Sequence, residues 1–152
     1  MKELIDAARI GDTEKITQLL EEGADVNFKD EKGFNALIIA TYNNHLEATA
    51  LLLKSGAEVN ESDNGGNTAL MGVSFKGYAP IAKLLLENGA NSNATHGNGG
   101  TALMFASMFG QKDIVKLLLD FGADKMMMDS KGLMAVDHAG IQRNMEIIDL
   151  LS

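Results

Sequence analysis

A chain of 152 residues, 45% apolar and 22% charged, is long enough for one packed domain and too apolar for wholesale disorder. Its 21 acidic and 13 basic residues leave a net charge of −8, which argues against a nucleic-acid duplex or an anionic membrane surface as partner. Cysteine is absent, so disulfides, thiol catalysis and zinc–thiolate sites are excluded together.

The chain opens on Met1-Lys2-Glu3-Leu4-Ile5-Asp6, which holds no apolar leader core, and no stretch has the length of a membrane span. A cytoplasmic protein is the expectation. From there the chain repeats itself. Gly-Ala occurs at 23, 56, 89 and 122, each 33 residues after the last, and Gly33, Gly66, Gly99 and Gly132 keep the same step. Leu37, Leu70, Leu103 and Val136 are in phase, as are the Leu triplets at 51–53, 84–86 and 117–119. The period divides the chain into modules 1–29, 30–62, 63–95, 96–128 and 129–152.

The first module starts directly in a helical pattern, is rich in acidic residues and reads as an N-terminal cap. The third shows the unit most clearly. Asp63-Asn64-Gly65-Gly66-Asn67 is a turn cluster, Thr68 is placed to cap a helix over Ala69–Phe75, and Gly77 breaks it. Pro80 falls in the first turn of a second helix, where a missing N–H is tolerated. Ile81, Leu84 and Leu85 recur at helical spacing, and Gly89, like Gly56 and Gly122, suits a left-handed position after the helix end. Helices this short are unstable alone, so the stacking of neighbours is expected to supply the core by burying Leu51, Leu84 and Leu117. The last module stops at Leu150-Leu151-Ser152 and reads as a C-terminal cap.

The residues Asp63-x-x-Gly66, Thr68-Ala69-Leu70, Ile114-Val115-Lys116-Leu117-Leu118-Leu119 and Gly56-Ala57-Glu58-Val59-Asn60 resemble the ankyrin repeat family, and the likeness covers essentially the whole chain. It implies an all-α solenoid of stacked helix–turn–helix units with β-hairpin-like loops, a single domain over 1–152. The family proline is Ala at 36, 69, 102 and 135, and the family histidine is Ile38, Met71, Met104 and Asp137. An apolar ladder of Ile38, Met71 and Met104 is expected in place of imidazole hydrogen bonds. His45 stands at the family Gly-His position, where a structural hydrogen bond is expected. Asn27, Asn60 and Asn93 keep the family's loop asparagine, and Met126 replaces it.

No constellation for chemistry emerges. His45, His96 and His138 occupy different phases of the repeat, so no metal site is expected. Gly97-Asn98-Gly99-Gly100-Thr101-Ala102 fits the loose dinucleotide pattern Gly-x-Gly-x-x-Ala, but the register puts it at a hairpin tip without the strand that pattern needs. Asn60-Glu61-Ser62 and Asn93-Ala94-Thr95 match the glycosylation sequon and read instead as structural loop asparagines. No serine has a strand–turn–helix setting that would activate it. Neither catalysis nor a cofactor is expected.

The resemblance implies partner contact at the hairpin tips and on the concave helices. By register this places Phe34 and Leu133 at tips, and Tyr42, Asn43, Phe75, Lys76, Met108 and Phe109 at the ends of the first helices. Four of the chain's eight aromatics fall in that set, a composition typical of interface anchors. Phe105, one phase earlier, reads as core or contact alike. The function expected is protein binding by a monomer. The alternatives are a self-associating scaffold, through the same strip or through Met126–Met128, and an engineered repeat without a natural partner.

Overall fold

In the computed structural model, which describes residues 1–152, the chain forms ten helices and no strand. They come in five pairs: α1 (Lys2–Ile10) with α2 (Thr13–Glu21), α3 (Ala36–Tyr42) with α4 (Leu46–Lys54), α5 (Ala69–Lys76) with α6 (Ala79–Glu87), α7 (Ala102–Met108) with α8 (Lys112–Asp120), and α9 (Ala135–Ile141) with α10 (Met145–Leu151). The odd-numbered helices pack in sequence as a front row and the even-numbered ones as a back row, so each pair touches only its neighbours. This is the all-α repeat stack the 33-residue period predicts.

Local chemistry sets the starts of α3, α5, α7 and α9. Asn35, Thr68 and Thr101 accept a hydrogen bond from the N–H three residues on, at 2.8, 3.3 and 3.3 Å. At the fifth pair the capping position is Met134, which offers no oxygen. There Asp137 accepts the Met134 N–H at 2.8 Å from the other direction, which explains a carboxylate where the family has histidine. Between the two helices of a pair the backbone turns through a left-handed residue. It is Gly77 in the third pair (φ 89°), where a Cβ would meet the Gln111 side chain at 2.5 Å. Asn44 and Arg143 hold the same conformation without glycine.

The tips are short hairpin-like reversals without strands. Asp30, Asp63, His96 and Asp129 each donate their N–H to the carbonyl four residues on, and Ser62–Thr68 is the lone bridge. Successive tips are tied by backbone bonds Asn64 N–H to Lys32 O (3.0 Å), Gly97 N–H to Gly65 O (3.2 Å) and Ser130 N–H to Asn98 O (2.9 Å). The approach is close enough that a Cβ on Gly66 would lie 3.1 Å from the backbone of the next tip. A strand would need paired residues on both arms, and each arm here is too short to supply them.

One apolar core runs the length of the stack. Ile38, Met71 and Met104 are buried in it, as the apolar ladder requires. The Leu triplets correct the expectation for Leu51, Leu84 and Leu117: these are only part-buried, and the middle members Leu52, Leu85 and Leu118 are fully buried. Three consecutive helix positions sweep about 200° of the surface, so the central one faces the core most squarely, although Leu86 is also buried. Asparagines clip the loops together: Asn27, Asn60 and Asn93 each accept the N–H 31 residues on, at 2.9, 2.7 and 2.8 Å. No helix is long and apolar enough to cross a membrane.

Candidate functional site

The front-row helices leave one marked depression, a hollow of about 730 Å³. Its origin lies in the repeat. One phase of the front row reads Ile39, Gly72, Phe105, and the tip phase reads Phe34, Asn67, Gly100. The third pair thus has Gly72 where both neighbours carry bulk, and Asn67 where the second pair carries Phe34. Phe34, Ile39, Tyr42 and Asn43 line the hollow from one side, and Phe105 and Phe109 from the other. Gly72, Met71 and Phe75 of α5 contribute between them.

Five of the eight residues singled out by register therefore meet at one place: Phe34, Tyr42, Asn43, Phe75 and Phe109. Tyr42, Phe75 and Phe109 remain 43%, 37% and 50% exposed, which is unusual for rings of that size. Phe75 and Phe109 stack edge to face with centroids 4.6 Å apart, so the rim is an ordered aromatic pair and not two loose side chains. Lys76 joins the group from outside, its ammonium 5.0 Å from the Tyr42 ring centroid. Met108 and Leu133 do not line the hollow and are half-buried. Phe105, ambiguous by register, does line it and is half-buried. Arg9, from α1, also reaches the lining, and its guanidinium is held by Asp6 at 3.0 Å. Arg9 stands in phase with Tyr42 and Phe75, a signal the repeat carried and an aromatic search passes over.

Electrostatics at the site are simple. Asp63 lines the hollow, but its carboxylate is turned into its own loop by bonds from Gly65 N–H, Asn67 N–H and the Asn67 side chain. Across residues 34–43, 67–76 and 100–109 the one charged side chain is Lys76, and no carboxylate pairs with it.

Elsewhere the histidines are occupied singly. His45 Nε2 donates to the Arg9 carbonyl at 2.8 Å, bridging the first two pairs as its register implies. Gln111, in the same phase, donates to the Phe75 carbonyl at 3.0 Å. His96 stacks on Phe105 with centroids 5.1 Å apart, and its Nδ1 accepts the Asn98 N–H. His138 Nε2 donates to Asp129 at 2.8 Å, a pair with 11% exposure on each side that sequence spacing did not reveal. No three His, Asp or Glu side chains converge as a metal would require. The Gly97–Ala102 segment sits at a tip with no strand before it. Asn60, in the first sequon, holds the Asn91 N–H and the Gly89 carbonyl.

A family model described as ankyrin repeats (3 copies) matches residues 4–96 and again 73–152. A protein of Pseudomonas aeruginosa described as an ankyrin repeat protein is 35% identical over 49 residues, which are 32% of this chain and 29% of that protein. The match thus spans under a third of the length of either.

Proposed function

As the chain belongs to the ankyrin repeat family, whose members are generally protein-interaction modules and typically not enzymes, we propose that it binds a protein partner on the face around the Gly72 hollow. The observation that carries this reading is the gathering of exposed Tyr42, Phe75 and Phe109 at one place on the front row. Large rings left in water lose the free energy of burial, at about 25 cal/mol per Å² of apolar surface, until something covers them. The fold already has a complete core, and its buried side-chain polar atoms all have partners, so these rings are surplus to folding. Phe34, Tyr42, Asn43, Phe75, Lys76 and Phe109 form the contact set, with Met108 and Leu133 at its margin. The protein acts as a cytoplasmic monomer, without cofactor, nucleic acid or membrane.

The test is Phe75→Asp with Phe109→Asp. Both rings are substantially exposed, so the helical spectrum and melting are expected to change little, while capture of the native partner in a pull-down is lost. A folded double mutant that captures the same protein as wild type contradicts the reading. Exposed Phe121, Met126 and Met128 favour a second reading, self-association. Light scattering across a concentration series separates the two, because a strict monomer removes the second.

A further inference from the structure

We propose that the Gly72 hollow receives one aromatic side chain from an acidic peptide segment, whose carboxylate pairs with Lys76. The inference rests on the face just proposed and names its occupant.

The shape admits a large aromatic anchor. Gly72 lies inside α5 and its φ is not left-handed, so the backbone does not require glycine there. Glycine in a helix interior weakens the helix; here a Cβ would meet the Tyr42 ring at 3.3 Å and nothing else within 4 Å, so Gly72 seats Tyr42 on one side and leaves space on the Phe105 side. The volume, about 730 Å³, exceeds one ring and leaves room for the residues beside it. The walls are aromatic, and edge-to-face contact with a further ring is the geometry they offer.

The charge argues for an acidic neighbour. A segment seated in the hollow passes beside the Lys76 ammonium, which is exposed at the edge against Tyr42 and has no carboxylate partner. A carboxylate there gains the attraction of the ammonium, a neutral segment does not, and a basic one adds repulsion. Arg9 and Asp63 do not alter the balance, because each is already bonded, to Asp6 and to the 63–67 loop. The overall charge of −8 opposes an acidic partner at long range, but salt screens that field beyond about 8 Å and leaves the local pair decisive.

The test uses a random peptide library displayed on phage and selected on the whole protein. Enriched peptides are expected to share one Phe, Tyr or Trp with Asp or Glu close beside it. They are expected to bind Gly72→Leu at least about tenfold more weakly, with Gly72→Ala intermediate as a second variant if the first fails to fold. Exchanging the peptide's acidic residue for Lys is expected to weaken binding to wild type and to strengthen it to Lys76→Glu. Enriched peptides without the aromatic–acidic pair, peptides indifferent to both Gly72 variants and to Lys76→Glu, or no enrichment at all overturn the proposal. If such peptides are still lost on Phe75→Asp with Phe109→Asp, the face stands and only its occupant is wrong; if they survive that change too, both readings fall. The chain carries its own exposed aromatic between carboxylates, Phe121 with Asp120 and Asp124. An oligomer seen by light scattering and dispersed by Gly72→Leu would make the occupant a second copy, which also overturns the assignment to a peptide partner.

Discussion

Asp129 accepts N–H bonds from Leu133 at 3.0 Å and Lys131 at 2.9 Å, and a third from His138 at 2.8 Å. The Leu133 amide, then the imidazole and the Lys131 amide, hold its carboxyl below the usual carboxylate value, and desolvation opposes them. A lowered folded value means the carboxylate stabilises the fold above the unfolded value, about pH 4, and that this contribution is lost as pH falls through the lowered value. Asp129→Asn is therefore expected to melt below wild type at pH 7, with the gap closing as melts are repeated from pH 4 downward. A gap that stays constant over that range contradicts the assignment. The sequence shows Asp129 as a turn residue, because Asp-x-x-Gly is a local pattern. It does not show His138, since an i, i+9 partner depends on how the tip folds back on α9. The role of Thr68 was legible because Thr101 repeats it in phase, and that of His45 because the resemblance implies a structural hydrogen bond at its position.

At the scale of elements, what a helix buries is decided by direction as much as by composition. Leu84 and Leu85 are alike in sequence, yet only Leu85 is fully buried. Leu85→Ala is expected to cost about 2–5 kcal/mol in urea unfolding, and Leu84→Ala about 1 kcal/mol, in proportion to its partial burial. Equal costs contradict the orientation. The sequence located all five helix pairs through glycine and leucine phasing, and it placed Pro80 correctly in the first turn of α6. It marked the loops as hairpin-like reversals, and the short arms limit their pairing to the single Ser62–Thr68 bridge. It also set Met108 and Leu133 in the contact strip, and these do not line the hollow. Register assigns a phase, whereas the hollow depends on a local contrast in size between neighbouring pairs, and that contrast is greatest at Gly72.

Over the whole molecule, the repeat acts as a grid. Every pair supplies the same backbone, and stability comes from each pair covering the next. Identity is then written in the exceptions: a glycine among bulky residues, a lysine among neutral ones, rings where the scaffold needs none. The overall architecture was readable because a period survives any single substitution. The hollow was not, because it is the difference between three sequences that periodicity treats as equal. The most direct measurement is deuterium exchange of the whole protein, free and bound to the partner recovered by pull-down. The result expected is protection confined to amides of residues 34–43, 67–76 and 100–109, strongest about Gly72, with the back-row helices unchanged. Protection centred on α4, α6 and α8, with the front row exchanging as it does in the free protein, would contradict the account.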